Sequence, residues 1–301
     1  RLNMGASLPM MIKELGWSKN DAGNIVSVLF WVMAFGQLFN GRLCEIFNVK
    51  KFIFLGAILS VVANWTISFA TSTAIITVLW GINGYFQSMI TSPSFSMISK
   101  WWPKRKRGFA TGIIDAFSAL GHVMVQVSVA ASLWLVPSWG WRSAFRIPVA
   151  LLLLVVVIYF YLVKASPSEV GLFDYEDDGE AMEYEKKLNK QEQQSGTFYP
   201  YKWLLKQRQF IAVCLISFMY GCCRFGLLTW IPLYYIEQLG LSIERGILDS
   251  LVLPVGMAVG SLILPFLADK FFIHNRFPVI AFCGIACTAT LFFLSGLNTI
   301  N

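Results

Sequence analysis

Long apolar runs separated by short charged loops dominate this chain of 301 residues. Eight of these runs are long enough to cross a bilayer, because a helix needs about 20 apolar residues to span the hydrocarbon. The predicted spans are residues 22–40, 52–69, 74–99, 108–136, 143–163, 210–235, 246–268 and 277–297. Hydrophobic residues make up 56% of the chain and charged residues 14%, which excludes an ordinary soluble domain. We therefore predict an all-α polytopic membrane protein.

A half-length apolar piece precedes the first complete span. Residues 1–15 show neither an initiator methionine nor a signal-peptide pattern, so we interpret them as the second half of a span. The chain also stops shortly after its last predicted span. Both features predict a fragment of a longer protein, with its first helix truncated.

Basic residues are distributed unevenly over the loops between these spans. Alternation of the spans assigns most of the 24 Lys and Arg residues to one side, which the positive-inside rule makes cytoplasmic. The long polar segment 165–208 lies on that side and joins an N-terminal bundle, residues 1–164, to a partial C-terminal bundle, residues 209–301. Its acidic middle, residues 174–194, is predicted to be a solvated helix or a disordered tether. We expect the protein to reside in a plasma, inner or organelle membrane.

Charge, cysteine and histidine content exclude several classes of function. The net charge is +7, but the basic residues sit between apolar segments rather than on a soluble domain, so no nucleic-acid partner is expected. The 6 cysteines are predicted to be free thiols, because they lie in apolar runs or in a basic loop. His122 and His274 lack neighbours at zinc-ligand spacing, so we expect neither a metal nor a cofactor. No catalytic triad or nucleotide loop occurs in a span, which argues against an enzyme.

Two sets of residues recur at nearly the same offsets in the two halves of the chain. The first set is Arg1, Pro9, Glu14, Gly16 and Ser18, and the second is Arg224, Pro232, Glu237, Gly240 and Ser242. Repeats with the same membrane orientation are typical of transporters built from two parallel halves, which bind the substrate between the halves near the bilayer midplane. The pattern therefore places Arg1 and Arg224 at matching positions beside one cavity.

Both arginines of this repeat belong to apolar segments. Arg224 lies about 21 Å from the start of its predicted span at Phe210, well inside the hydrocarbon. A central arginine costs about 2.5 to 3.5 kcal/mol on insertion scales, so two at matched positions indicate a shared task. A guanidinium suits bidentate capture of an oxyanion, phosphate above all. The alternative is that each arginine snorkels or binds helix carbonyls.

Several segments resemble the major facilitator superfamily. Residues 41–51 look like its signature loop, a glycine and an acid followed by basic residues, and residues 267–276 look like the second-half copy. Other segments are similar to the organophosphate:phosphate antiporters, the glycerol-3-phosphate and hexose-phosphate transporters: residues 83–87, 101–108, 140–142, 167–172 and 224–232. The resemblance covers essentially the whole chain. It implies the major facilitator fold of two pseudo-symmetric helical bundles, here incomplete with about nine of twelve helices.

The same resemblance implies roles for particular residues. Arg1 and Arg224 fall on the two arginines that grip the phosphate, and Gln87 falls on a cavity-lining glutamine. Four positions depart from the family pattern: Leu2, Asp115, Ser118 and Thr229. Ser118, in place of a substrate-binding histidine, is kept as a candidate substrate contact. Asp115, the only acid deep in the first-half membrane region, is predicted to carry a proton or contact the substrate, or else to pair with a nearby arginine or Gln126.

The signature loops also have a mechanical interpretation. An acid at a helix end, with basic residues across the loop, can form an ion-pair latch between the two halves. Breaking such a latch would shift the equilibrium between inward-open and outward-open states. The predicted gating residues are Gly41, Arg42, Glu45, Lys51, Arg107 and Asp269. The alternative for the lysines is that they only set the membrane topology.

Together these features predict a secondary active transporter, monomeric, that exchanges an organophosphate for inorganic phosphate by alternating access. The organophosphate would be glycerol-3-phosphate or a sugar phosphate. One alternative is a proton-coupled symporter of the same fold for another organic anion, with Asp115 as the proton carrier and His122 as a relay or a buried spectator. Another alternative is a sensor that binds a sugar phosphate without transporting it.

Overall fold

The computed structural model describes residues 2–103, 107–172, 199–271 and 277–297. Within these ranges the chain forms eleven α-helices and no β-strand, which confirms the predicted fold class. The first half contains α1 (Leu2–Leu15), α2 (Lys19–Ile46), α3 (Val49–Ile67), α4 (Thr73–Trp101), α5 (Arg107–Leu135) and α6 (Ser143–Leu162). The second half contains α7 (Tyr199–Lys206), α8 (Arg208–Gln238), α9 (Ile243–Asp249), α10 (Val252–Phe271) and α11 (Phe277–Leu297).

Each of the eight predicted spans overlaps one of these helices. Six helical segments of the described chain are long and apolar enough to cross a membrane, by length and composition alone. They are Lys19–Cys44, Val49–Ile67, Arg107–Leu135, Pro137–Leu162, Arg208–Gln238 and Ile243–Leu267. The protein is therefore an integral multi-pass membrane protein.

One predicted span differs from the structure in its continuity. Residues 246–268 were expected to form one helix, but α9 ends at Asp249 and α10 begins at Val252. Pro254 explains the interruption, because it has no backbone N–H to donate to the carbonyl four residues earlier and its ring would contact that carbonyl. Proline is tolerated in the first turn of a helix, which is where α10 places it.

Glycines allow the helices of the first half to pack with their backbones close together. A Cβ at Gly84 of α4 would overlap the carbonyl oxygen of Leu29 on α2. A Cβ at Gly56 of α3 would lie 2.9 Å from the carbonyl oxygen of Phe86 on α4. Small residues commonly serve this role in membrane helix packing, because van der Waals contact between helices stabilises the bundle.

The predicted repeat extends to the backbone of two turns. Gly16, after α1, and Gly240, after α8, have φ values of 66° and 65°, which glycine adopts without strain. Two residues later, Ser18 and Ser242 each accept a hydrogen bond from the backbone N–H three positions ahead and so cap α2 and α9. We call this end of the molecule, where α1 meets α2 and α8 meets α9, the short-loop end.

The segment that follows α6 is fastened to the connection between α2 and α3. Glu169, in the short 3-10 helix Pro167–Val170, accepts hydrogen bonds from the Ala165 backbone N–H at 3.0 Å and from Asn48 Nδ2 at 3.3 Å. The bond from Ala165 is the main reason that the pKa of Glu169 lies below its ordinary value. The predicted helix or tether at 174–194 lies outside the described residues.

Candidate substrate site

The two halves approach each other backbone to backbone at two places. On α1, a Cβ at Gly5 would lie 3.4 Å from Thr229 Cα of α8. On α5, a Cβ at Gly112 would lie 3.2 Å from the Ser261 carbonyl oxygen of α10. These contacts bring α1 beside α8 and α5 beside α10, and a cavity lies between α5 and the second half.

This cavity has a volume of about 1010 Å³ and is lined by residues of α5, α8, α9, α10 and α11. Its volume lies at the upper end of the range typical of small-molecule sites. Apolar side chains and glycines line much of it, and its polar and charged lining includes Thr111, Asp115, Tyr220, Arg224, Tyr235, Asp249 and Ser261. The site therefore combines few charges with many apolar contacts, as ligand pockets do.

Arg224 is the cationic group of this cavity. It lies sixteen residues into α8, or about 24 Å along the helix from Arg208. Its Cζ atom is 5.8 Å from the ring centroid of Tyr220 and 5.7 Å from that of Phe225. Its Nε atom is buried and has no hydrogen-bond partner in the described part of the chain. Because a buried cationic donor without a partner is costly, the arrangement favours binding of an anion.

Asp115 provides a negative charge in the same cavity. It lies on α5, and its carboxylate is exposed to the cavity. Asp115 and Arg224 line one cavity from different halves, yet among the described ion pairs none joins them. A ligand with an oxyanion and hydroxyl groups could therefore contact both residues, the oxyanion at Arg224 and a hydroxyl donor at Asp115.

Ser118 and His122 do not line this cavity, although they share α5 with Asp115. His122 is buried at 3% exposure, and its Nδ1 atom lies 2.6 Å from the carbonyl oxygen of Ser118. That contact is local to one helical turn. The predicted substrate contact of Ser118 and the predicted relay through His122 therefore stay predictions.

Gln87 belongs to a buried polar network inside the first half rather than to the Arg224 cavity. Its Nε2 atom donates to Ser60 Oγ at 2.7 Å, and Ser60 Oγ donates to Asn83 Oδ1 at 2.7 Å. Asn64 Nδ2 donates to Asn83 Oδ1 at 3.3 Å, and Asn3 Nδ2 donates to Asn64 Oδ1 at 3.2 Å. The network joins α1, α3 and α4. Sequence reasoning missed it, although amide side chains within apolar runs were a visible signal.

Arg1 lies outside the described residues, so the predicted pair of arginines stays a prediction. Within the described chain, Asn3 is the polar residue nearest to Arg1 along the helical part of α1. Its side chain is 4% exposed and is tied to the first-half network. The structure therefore establishes the surroundings of Arg224 alone.

The predicted gating residues lie at the end opposite to the short-loop end. Arg107 donates to the carbonyl oxygens of Ser99 at 2.9 Å and Trp102 at 3.1 Å, and so binds the C-terminal end of α4. Glu45 lies in α2 and Asp269 in α10, but their side chains are outside the described part of the structure. Gly41 and Arg42 also lie in α2, and Lys51 lies in the first turn of α3. The latch assigned to these residues stays a prediction.

An ion pair that the sequence analysis did not predict joins the halves at the short-loop end. Lys19 Nζ of α2 lies 2.6 Å from Glu237 Oε2 of α8. Glu14, the repeat mate of Glu237, instead pairs with Arg142 of its own half, at 2.5 Å between Oε1 and NH1. The repeat had pointed to both acids as matched positions, but the sequence contained no signal for their partners.

Long apolar helices on both sides of a cavity, in two parts of the chain that share a sequence repeat, are the arrangement expected of a two-bundle membrane fold. The sequence profile of the Major Facilitator Superfamily matches residues 2–301. The chain belongs to that superfamily, as its signature loops predicted.

Three relatives show what the chain is similar to. It is 24% identical over 288 residues to the "Phosphoglycerate transporter protein" of Salmonella typhimurium, covering 94% of this chain and 62% of that protein. It is 26% identical over 276 residues to the "Probable sulfoacetate transporter SauU" of Cupriavidus necator, covering 90% and 61%. It is 22% identical over 284 residues to the "Probable hexose phosphate transport protein" of Chlamydia trachomatis, covering 91% and 61%. The chain thus spans about three fifths of the length of these relatives.

Proposed function

We propose that the whole protein is a secondary active transporter that exchanges an organophosphate for inorganic phosphate by alternating access. The observation that carries the proposal is the buried Nε atom of Arg224, which has no partner among the described residues of a cavity between the two halves. Two of the three relatives described above are named for phosphorylated organic substrates. The proposal includes a monomeric protein with residues 165–208 on the cytoplasmic side.

The guanidinium of Arg224 suits this task for a geometric reason. Its planar fork presents two parallel N–H donors that match two oxygens of one phosphate group, whereas a lysine ammonium acts as a point charge. The rings of Tyr220 and Phe225 beside it exclude water from one part of its surface and so strengthen its attraction for an anion. Asp115 would accept hydrogen bonds from hydroxyl groups on the organic part of the substrate.

The unpaired charge also favours exchange over one-way transport. An empty site leaves Arg224 without a counter-ion, so a state that closes around the empty site is penalised. Inorganic phosphate restores the pairing on the return step, and a ligand shifts a conformational equilibrium only through such differential binding. Exchange of one phosphate-bearing anion for another therefore avoids the unpaired state.

A second candidate function is proton-coupled symport of an organic anion that carries no phosphate. Asp115 supports this candidate, because it is an acid that shares the cavity with Arg224 and belongs to none of the ion pairs of the described chain. A relative named for sulfoacetate also supports it. In this mechanism a proton on Asp115 would accompany each anion on Arg224, since protonation removes the like charge that repels the anion.

Transport by the full-length protein in proteoliposomes preloaded with inorganic phosphate tests the proposal. The labelled substrates are glycerol-3-phosphate, glucose-6-phosphate and 3-phosphoglycerate. Arg224→Lys keeps the charge but removes the bidentate fork, so we expect phosphate-dependent uptake to fall by about 10- to 150-fold, from the value of a charge-assisted hydrogen bond. Arg208→Lys is the matched control, because Arg208 is exposed at the start of the same helix and does not line the cavity.

The same vesicles separate the alternatives. Uptake of an organic acid that requires a pH gradient and is lost in Asp115→Asn, without any phosphate exchange, would establish the second candidate. Binding of a sugar phosphate without flux would establish the sensor. Full phosphate exchange by Arg224→Lys would contradict the site that we propose.

A further inference from the structure

A groove on the outside of the first half lies far from the Arg224 cavity and shares no lining residue with it. It has a volume of about 530 Å³ and lies at the short-loop end, between α3, α6 and the turn Pro137–Arg142. Its walls are Trp65, Phe69, Trp139, Ile147, Ala150 and Leu151, with Arg146 as the one charged lining residue. An otherwise apolar groove thus contains a single cation.

Contacts from two neighbouring elements hold the guanidinium of Arg146 in place. Its Nε atom donates to Ser68 Oγ at 3.1 Å. Its Cζ atom lies 4.7 Å from the ring centroid of Phe69 and 4.8 Å from that of Trp139. Two cation–π contacts and one hydrogen bond leave the side chain little rotational freedom. The side chain is therefore ordered before a ligand binds, so binding loses little further side-chain entropy.

The terminal nitrogens of Arg146 remain available for a ligand. None of the hydrogen bonds of the described chain involves its two NH₂ groups, and none of the ion pairs there involves Arg146. These groups offer four N–H donors in the planar geometry that matches a phosphate. A guanidinium that is held in place, lacks an ion-pair partner in the described chain and lies beside apolar surface is complementary to an amphipathic anion, one whose charged group is attached to an apolar part.

The position of the groove along the membrane normal indicates what the apolar part of this ligand is. Arg146 is the fourth residue of α6, and Leu151 lies about 7.5 Å further along the helix toward the membrane interior. Trp65 and Trp139 flank the same region, and tryptophan is enriched at the level of lipid headgroups. The charge is therefore at headgroup depth, and the apolar wall continues down along the acyl chains.

We propose that this groove binds one anionic glycerophospholipid, with the lipid phosphate on Arg146 and an acyl chain along Ile147, Ala150 and Leu151. A soluble phosphate would use the guanidinium but would leave the apolar wall uncovered. A zwitterionic lipid carries a cationic headgroup that opposes the arginine, so phosphatidylglycerol binds more tightly than phosphatidylcholine. The inference does not depend on the transported substrate.

Native mass spectrometry of the full-length protein, titrated with dioleoylphosphatidylglycerol or dioleoylphosphatidylcholine, tests the inference. We expect the wild type to retain one phosphatidylglycerol more tightly than any phosphatidylcholine. Arg146→Gln should lower the affinity for this lipid by about 10-fold or more, the value of one charge-assisted hydrogen bond. Arg245→Gln should retain the lipid, because it removes an equal charge at the same end of the molecule but outside the groove.

A second variant distinguishes loss of the lipid site from a folding defect in Arg146→Gln. Ala150→Trp leaves the arginine and its contacts intact but fills the exposed lower part of the groove, so it should also lose the bound lipid. Both variants are to be compared as monodisperse samples. Equal binding of phosphatidylglycerol by the wild type and both variants would overturn the proposal. Equal affinity for the two lipids, or displacement of the lipid by millimolar inorganic phosphate, would overturn it as well.

Discussion

The two halves of the molecule repeat one turn but use it for different tasks. Glu14 and Glu237 occupy matching positions just before the turns at Gly16 and Gly240. Glu14 pairs with Arg142 inside the first half, whereas Glu237 pairs with Lys19 across the boundary between the halves. The sequence repeat therefore determines the position of each carboxylate. Its ion-pair partner depends on which helices pack beside it, so one acid stabilises the first half and the other joins the two halves.

The repeat mates α1 and α8 also differ in how they are surrounded. Leu8 and Met11 of α1 are fully buried in a core built mostly of first-half residues, to which Ile247 of α9 also belongs. On α8, Val213, Phe218 and Met219 are at least 60% exposed among the described residues. The first half thus supplies most of the core around α1, whereas α8 packs mainly through the side that meets α1. Packing faults should therefore be costly in the first half and tolerated on α8.

The largest expected effect is on helix packing. Gly84→Ala should lower the unfolding free energy by about 1 to 3 kcal/mol, because the new methyl group overlaps the Leu29 carbonyl of α2. Gly221→Ala on α8 is the matched variant. Its Cβ meets nothing within 4 Å, so it should be neutral or stabilising by up to about 1 kcal/mol. Thermal unfolding in detergent measures both, and equal losses would refute the contrast between the halves.

A smaller effect is expected at the two helix caps. Ser18 and Asp21 bond reciprocally, with Ser18 Oγ accepting from the Asp21 N–H and Asp21 Oδ2 accepting from the Ser18 N–H, both at 3.1 Å. The side chain of Ser242 accepts a single described bond, from the Arg245 N–H at 3.3 Å. Ser18→Ala should cost about 1 to 2 kcal/mol, and Ser242→Ala about 0.5 to 1 kcal/mol.

Hydrogen exchange of the backbone amides in the first turns of α2 and α9 measures this difference locally. The increase in exchange rate should be larger for Ser18→Ala at α2 than for Ser242→Ala at α9. A larger increase at α9 would show that the number of hydrogen bonds in a cap does not determine how much the cap stabilises its helix.

The smallest effect concerns the ion pair between the halves. Lys19 and Glu237 are 65% and 33% exposed, so their interaction is expected to contribute about 0.2 to 1 kcal/mol. Lys19→Gln should widen the gap between α2 and α8 by shifting the conformational equilibrium up to about 5-fold. Glu14→Gln should leave that gap unchanged, because its ion pair lies within one half.

Spin labels at residues 20 and 239, in a cysteine-free background, report this gap by electron–electron distance measurement. The charge-swapped protein with Lys19→Glu and Glu237→Lys should return the distance distribution to that of the wild type. Similar widening by Glu14→Gln would show that the two acids act alike and that the comparison between the halves fails.

Hydropathy alone was sufficient to place the helices, since an apolar run of about 20 residues has few other stable conformations in a membrane. The break before α10 was missed because the run stays apolar across it, although Pro254 was a readable signal. Arg224 was found from the repeat and Asp115 from its isolation in an apolar span. Their shared cavity agrees with a common site, whose role stays a proposal.

Long-range pairing was beyond sequence reasoning. The partner of Lys19 lies 218 positions away and is chosen by the packing of α2 beside α8. Gln87 was assigned to the substrate site by its position in a motif; its amide donates to Ser60, and the assignment stays a prediction. The groove around Arg146 depends on three aromatic side chains, two at or just after the end of α3 and one in the turn before α6, which no local pattern brings together.

A rotation of the halves about the close contact between Gly5 and Thr229 would move the outer part of α8. Glu237 lies eight residues beyond Thr229, which is a lever arm of about 12 Å. A rotation of the halves by about 10° about this point would move the carboxylate by about 2 Å, enough to take the 2.6 Å pair with Lys19 out of range. A small tilt about this contact would thus be enough to separate the Lys19–Glu237 ion pair at the short-loop end.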